Sequence, residues 1–495
     1  MTNLDQPGTH RSISRGSASV PESSLPVGRF GRMFRNLPSY EPEEAFLREV
    51  ADQMVEGEAV DSETLPAGLT YFGQFVDHDL TFDPVSSLAR QNDPDALTSF
   101  RTPVFDLDCV YGRGRDDQPY MYDGDKMLIG VAEGGNEKDL PRNGKPGRAL
   151  IGDPRNDENI IVSQLQLAFL LLHNRLIDDL QPGGALEQHR WSSGSTFQEA
   201  QRLARWHYQW LVLEWFLPKI CDQEVLGQLV RKEPVDGGTC RSIKPRRFYD
   251  PQVRPYIPVE WSVAAYRFGH SLIRQKYHLN PTLRGFRNGE PLDIFLKDPP
   301  EADRLQHLDG RRPLPPFWTI CWRMFFDFGG DQADLQMARK IDTKLAKGLE
   351  FLPGTEDPAR ALAFRNLQRG ATMGLPSGEA VARRLCVKPL SRQQLGLQQE
   401  APLWYYILRE AEIFGDGEKL GRVGSTIVAE TMLGLLAADP FSFLRTEPTW
   451  EPVIPQTTGG EWDVADLLAY AVPDDGCTLQ PPGETPPPPE GARSW

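Results

Sequence analysis

The chain has 495 residues, 39% hydrophobic and 25% charged, an ordinary balance for a soluble globular protein with one large core or a few smaller ones. Lys and Arg number 54 against 69 Asp and Glu, a net charge of −15, which argues against nucleic acid and anionic membrane because both select basic patches. No run of about 18 apolar residues is present to span a membrane, and the N-terminus lacks the apolar region of a signal peptide. A cytoplasmic protein, or one secreted without a cleaved signal, is expected.

Residues 1–28 are polar and rich in Ser, Gly and Pro, and read as disordered. Residues 29–470 show neither a linker nor an internal repeat and read as one domain, followed by a Pro-rich tail over 471–495. Apolar spacing predicts helices over 43–57, 159–180, 197–220, 259–277 and 422–439, with Pro218 marking the end of the third. Alternating strand patterns are short and rare. The expected class is mainly α, a single large helical domain with long loops and little β. Cys109, Cys221, Cys240, Cys321, Cys386 and Cys477 are scattered, form no CxxC, and read as free thiols of a reducing compartment.

The stretch YFGQFVDHDL, residues 71–80, sets His78 between Asp77 and Asp79 in an apolar run. Burying that much charge costs several kcal/mol unless it is paired or metal-bound. As a helix, the stretch puts Gln74 and His78 on one face with Asp77 near it. Asp79, five positions from Gln74, lies about 140° round and points elsewhere. One helix thereby serves two sites. The bland alternative is a surface histidine with flanking acids.

In RTPVFDLDCVYG, Thr102, Asp106 and Asp108 supply alternating oxygens with the Val104 carbonyl between them, a set suited to Ca²⁺ that Asp79 completes. In GDPRNDEN, Arg155 and Glu158 are three apart at a helix start; a salt bridge with capping is the ordinary alternative. His270 falls in a predicted core helix with Arg267 one turn before it, where a lone histidine is more often a satisfied core residue than a ligand. Asn366 and Arg369 stand three apart before a turn.

In this order the motifs resemble the animal-type haem peroxidases of the peroxidase–cyclooxygenase superfamily, a group that includes myeloperoxidase, lactoperoxidase and many bacterial members. The resemblance runs over about residues 30–455. It implies that GQFVDHD is the distal helix, with His78 the distal histidine, Gln74 its amide neighbour, Asp77 a haem-esterifying carboxylate and Asp79 a Ca²⁺ ligand. TPVFDLD is similar to the calcium loop, implying Thr102, the Val104 carbonyl, Asp106 and Asp108 as ligands; mammalian members usually carry Ser in place of Asp108. RNDEN implies Arg155 as catalytic arginine and Glu158 as the second ester former. YRFGH implies His270 as iron ligand, with Arg267 near a haem propionate. Asn366 accepts the proximal imidazole N–H, and Arg369 approaches a propionate. Where myeloperoxidase has a methionine that forms a third covalent bond, this chain has Asn159, so two ester links at most are expected.

The implied cofactors are haem b, ester-linked through Asp77 and Glu158, and Ca²⁺. The implied activity is H₂O₂-dependent oxidation of small organic donors, or of halide and pseudohalide, through a ferryl intermediate. A neutral imidazole above iron serves as base and then acid, and an arginine steadies charge on the departing oxygen. Three rivals stand beside this reading. A fatty-acid dioxygenase of the same superfamily places a tyrosine three positions before the proximal histidine, where this chain has Arg267, with Tyr266 turned away by 100°. A metal-dependent hydrolase using DHD and DPRND leaves His270 and Arg155 unexplained. A non-catalytic, peroxinectin-like adhesion protein sits poorly with an intact His78, Arg155 and His270.

Overall fold

The computed structural model of the protein describes residues 30–55, 60–81, 102–133, 137–144, 147–191, 194–244, 246–249, 251, 255–296, 303, 305–330, 332–350, 362–473 and 477. The segment 1–28, expected to be disordered, and most of the Pro-rich tail 471–495 lie outside the described residues. Eight α-helices of eight residues or more carry the fold. They are α1 (Glu44–Gln53), α2 (Ala67–Leu80), α3 (Ile160–Asp179), α4 (Thr196–Trp210), α5 (Leu362–Thr372), α6 (Leu403–Phe414), α7 (Arg422–Ala438) and α8 (Val464–Ala471). The described β-structure consists of two-stranded ladders, such as the Val230–Val235 and Gly238–Ile243 hairpin turned by Asp236 and Gly237. The protein is mainly α.

The apolar runs that predict helices also explain their packing. Asn159 caps α3 by accepting the Val162 N–H at 2.9 Å, and the helix then runs apolar on nearly every face. It is long and apolar enough to cross a membrane, yet 89% of its most apolar window is buried inside the protein, as a central core helix requires. Helix α2 lies against it, with Phe75 stacked on Phe169 at 4.5 Å. Ser195 and Gln198 form a reciprocal capping box that starts α4. The last helix, α8, returns to α3, where the Tyr470 hydroxyl donates to Asp179 at 2.5 Å.

Three expectations are corrected. The predicted helix over 259–277 is instead a π-turn, Glu260–Ala264, followed by a 3₁₀ helix, Ala265–His270, and an extended pair, Lys276–Tyr277. Ala264 leaves helical geometry at φ −128° and ψ −71°, while the buried Glu260 carboxylate accepts the N–H groups of Met33 and Phe34 at 3.0 Å each. The predicted helix over 197–220 is regular only to Trp210; a π-turn, Leu211–Phe216, precedes a last turn, Leu217–Ile220. Pro218 has no N–H to donate to Glu214, so it widens the helix before it instead of ending it there. Finally, Cys321 and Cys477 form a disulfide, with Cα atoms 5.0 Å apart, while Cys109, Cys221, Cys240 and Cys386 form none. Partners 156 residues apart leave no spacing signal.

Buried histidines give the core an acid-sensitive point. His207 donates Nδ1–H to the Leu203 carbonyl at 2.7 Å and accepts the N–H groups of Val453 and Ile454 on Nε2 at 3.1 and 3.2 Å. Protonating Nε2 would destroy both acceptor bonds. Burial pushes this imidazole down to about 3, the Leu203 carbonyl opposing and the Arg202 charge adding to the drop. The unfolded chain therefore binds one more proton than the folded chain between about pH 6.5 and 3, and stability falls as pH falls through that window. One such site loses about 2 kcal/mol by pH 5. The expected result is a melting temperature that drops between pH 7 and 5, with a smaller drop in His207→Gln; equal drops in both proteins would contradict it.

Candidate active site

Most of α2 is buried, but Gly73, Gln74 and Asp77 remain partly accessible along one stripe. In the 3₁₀ turn opposite, Arg267, Gly269 and His270 are the partly accessible residues. The two stripes meet: the Tyr266 hydroxyl donates to the Gly73 carbonyl at 3.2 Å, and the Asp77 carboxylate is close enough to Arg267 to favour its charge. The seam between α2 and the turn is thus bordered by partly accessible polar residues, a candidate slot in a largely buried region.

His78 forms one wall and is only 4% exposed. Its Nδ1 is 2.7 Å from Asn156 Oδ1, and its Nε2 is 3.4 Å from Glu158 Oε1. Burial lowers its pKa, the Arg155 charge lowers it further, and Glu158, Asp153 and Asp77 pull it back. The imidazole is therefore held towards its neutral form. Arg155 donates to the His78 carbonyl at 3.1 Å, to the Thr81 carbonyl and to Asp153 Oδ2 at 2.9 Å. These bonds place a fixed cation at the C-terminal end of α2, where the helix dipole is negative. Gln74 accepts from Asn159 Nδ2 at 3.1 Å. Asp77 accepts from the Thr81 hydroxyl at 3.3 Å.

The turn carrying Arg155 and Glu158 is held by a buried ion pair. Arg142 makes a two-pronged contact with Asp157 at 2.7 and 2.8 Å, and its Nε donates to Asp139 at 2.9 Å.

His270 forms the other wall. Burial lowers its pKa to about 3, and the charges of Arg267, Arg369 and Arg365 add to the shift. Asn366 and Arg369 come from α5, one turn apart. The Asn366 amide is 2.9 Å from His270 Nδ1, with Nδ2 turned towards the ring. So placed, the amide donates to Nδ1, opposite to the expected direction. Turning the amide over puts Oδ1 there instead and lets Nδ1–H donate, which is the arrangement an Nε2 ligand needs. Arg267 donates Nε–H to the Ser262 carbonyl at 3.1 Å, and its own carbonyl accepts from Trp404 Nε1 at 3.2 Å.

Asp79 leaves the slot altogether. It is fully buried, and its two oxygens accept the N–H groups of Leu107 and Cys109 at 3.2 and 3.4 Å. Thr102, Val104 and Asp108 are buried as well, and Asp106 Oδ1 accepts the Asp108 N–H at 3.3 Å. The donors are all oxygens, the chemistry that suits Ca²⁺. Among the described residues, however, no three acidic, His or Cys side chains close around one point.

The residues along this seam fit a haem by their donor set: one imidazole from each element, arginines suited to propionates, and the carboxylates of Asp77 and Glu158. Sequence reasoning missed Asn156, Gln166 and Trp404. Asn156 sits in the active-site turn itself, but its bonds to His78 and Gln166 are made only by the fold. Trp404 sits in α6, where an apolar aromatic reads as core.

A family model, animal haem peroxidase, matches residues 89–392. That range contains Arg155, Glu158, His270, Asn366 and Arg369 and begins after α2. Among curated proteins, the chain is 30% identical to thyroid peroxidase of Sus scrofa over 239 residues, 46% of this chain and 21% of that protein. It is 31% identical to chorion peroxidase of Aedes aegypti over 147 residues, 30% of this chain and 17% of the other. A peroxidase-like protein of Margaritifera margaritifera is 26% identical over 400 residues, 66% of this chain and 46% of the relative. The chain thus spans less than half the length of these relatives. Among solved structures, peroxidase A of Dictyostelium discoideum superposes with a TM-score of 0.58 at 16% identity, covering 94% of this chain and 98% of that one. A fatty acid alpha-dioxygenase of Arabidopsis thaliana gives 0.54 at 14% identity, covering 92% and 81%. These two share the fold. With the family pattern running through more than half of its residues, the chain belongs to the animal haem peroxidase family.

Proposed function

We propose that the protein is an H₂O₂-dependent haem peroxidase that oxidises small organic donors, halide or pseudohalide. The observation that carries this reading is the approach of the partly accessible stripes of α2 and of the Ala265–His270 turn, joined by the Tyr266–Gly73 hydrogen bond, with His78 carried by the first element and His270 by the second. Haem b held there by His270 would supply a redox-active iron that takes oxidising equivalents from peroxide and passes them to a donor.

The chain supplies proton handling and charge. His78 Nε2, neutral and facing the slot, takes the proton of incoming peroxide and returns it to the departing oxygen as water leaves. Arg155 stays protonated and steadies negative charge as it develops, because Asp153 and two carbonyls hold it in place beforehand. Gln74, fixed by Asn159, lines the same wall. Arg267 and Arg369, both charged neighbours of His270, would pair with the propionates. Asn366 orients His270, and as a neutral amide it enriches the iron less than a carboxylate would. Asp77 and Glu158 are the carboxylates that would form ester links to a bound haem. Consumption of peroxide suits a response to oxidative stress.

Tyr266 favours peroxidase over dioxygenase chemistry. Its hydroxyl is bonded to the Gly73 carbonyl and its ring is stacked on Trp261 at 4.2 Å, so both are committed to structure. We assign Ca²⁺ to Asp79, Thr102, the Val104 carbonyl, Asp106 and Asp108, where the ion would draw these oxygens together and stiffen the C-terminal half of α2.

Purified protein is expected to show a Soret band and to react with H₂O₂, and His78→Ala to keep the band while slowing that reaction by about 100- to 10,000-fold. A protein that takes up no haem, or a variant with the parent rate, would contradict the assignment. Calcium predicts a separate effect. Chelation should lower the melting temperature and added Ca²⁺ restore it, by about 2.7 kcal/mol at a hundredfold excess over Kd. Asp79→Asn should abolish the response. A parent protein indifferent to chelator would remove the ion.

A further inference from the structure

We propose that Asn156 is a positioning residue that sets the tautomer of His78, through a polar chain whose direction is fixed at its far end by a backbone carbonyl. The proposal deepens the peroxidase reading and rests on it for its kinetic consequence, but not for the tautomer itself.

Asn156 lies in the 3₁₀ turn Pro154–Asp157, between Arg155 and the buried Asp157. Its Nδ2 donates to Gln166 Oε1 at 2.7 Å, and Gln166 Nε2 donates to the Cys109 carbonyl at 3.2 Å. That carbonyl also accepts the Asp153 N–H at 3.1 Å. The contact requires a glycine beside it, since a Cβ at Gly152 would stand 2.7 Å from the Cys109 oxygen and 2.3 Å from that of Asp108. Asn156, Gln166 and Cys109 are all 0% exposed, and His78 4%. Water is thus excluded from reversing any link.

The polarity follows from which atoms can donate. A backbone carbonyl only accepts, so Gln166 must present Nε2 to Cys109 and Oε1 to Asn156. Asn156 must then present Nδ2 to Gln166, which turns its Oδ1 to the imidazole, 2.7 Å from Nδ1. An oxygen there accepts, so His78 carries its proton on Nδ1 and leaves Nε2 bare on the slot side. Reversing one amide would set two buried oxygens face to face, at a cost of about 1–3 kcal/mol per unsatisfied group. The Cys109 N–H is itself held by Asp79, so the chain is anchored in the loop that Asp79 organises. A base for peroxide needs the bare Nε2; the chain places the proton of the neutral imidazole on Nδ1 before peroxide arrives, against the pull of the Glu158 carboxylate 3.4 Å from Nε2.

The test compares Asn156→Asp with Asn156→Leu. The carboxylate keeps an acceptor for Nδ1–H; the leucine keeps volume but none. In ¹⁵N-histidine NMR of the protein as purified, or of its diamagnetic ferrous–carbonyl form where haem is bound, His78 (assigned with His78→Gln) should show Nδ1–H with bare Nε2. Asn156→Asp should retain that pattern and Asn156→Leu should show mixed tautomers. The association rates of H₂O₂ and of HCN, which also gives up a proton on binding, should fall about 10- to 100-fold in Asn156→Leu and far less in Asn156→Asp. Thermal stability should order the two variants oppositely, because a buried carboxylate is costlier than a leucine. A role in packing alone predicts the same order for both properties. Nε2–H in the parent protein, or an unchanged tautomer in Asn156→Leu, would overturn the proposal. If the tautomers follow the prediction but the parent protein does not react with peroxide, the peroxidase reading fails and this inference stands.

Discussion

The structure depends on what the Asp79 carboxylate does next door to His78. Its two oxygens hold the backbone N–H groups of Leu107 and Cys109, pinning the 102–109 segment to the end of α2. Hydrogen bonds to a charged group contribute about 1.5–3 kcal/mol each, enough to keep a fully buried acid in place. Because adjacent helix positions differ by about 100°, fixing Asp79 outward fixes His78 towards Asn156 and Glu158. The Arg155 guanidinium closes the arrangement by binding the carbonyls of His78 and Thr81 at the end of the same helix.

Much of this was legible in the residues. The period of α2 separates Gln74, Asp77 and His78 from Asp79, and the hydrogen bonds divide them the same way. The apolar run after Asn159 gives α3, including its cap. Illegible parts have physical causes. The turn bearing His270 is apolar and periodic enough to read as helix, but Glu260 binds the N-terminal backbone and Ala264 departs from helical angles, producing π and 3₁₀ geometry. The disulfide joins Cys321 to Cys477 across 156 residues, a pairing only the tertiary fold can make. Asn156 and Gln166 look like ordinary polar residues until the buried Cys109 carbonyl is seen at the end of their chain.

The two sides of the slot differ in how firmly an amide is oriented. On the His78 side, a chain ending on a carbonyl leaves one direction available. On the His270 side, the Asn366 amide at 2.9 Å satisfies the ring in either orientation, each matching one imidazole tautomer. Only a metal on Nε2 would choose between them. The proposed base is therefore preset by the protein, whereas the proposed ligand is set on binding. Solved relatives with the same fold include a peroxidase and a fatty acid alpha-dioxygenase. Chemistry in this architecture must therefore be argued from side chains such as Tyr266, not from the fold.

The central claim is that His270 and His78 face each other across one haem iron. The most direct measurement is an iron anomalous-scattering map from crystals of the haem-loaded protein. The account predicts a single peak at bonding distance from His270 Nε2, with His78 Nε2 on the opposite side of the ring and not bonded to the metal. Iron bonded to His78, or a peak outside the slot between α2 and the Ala265–His270 turn, would contradict it.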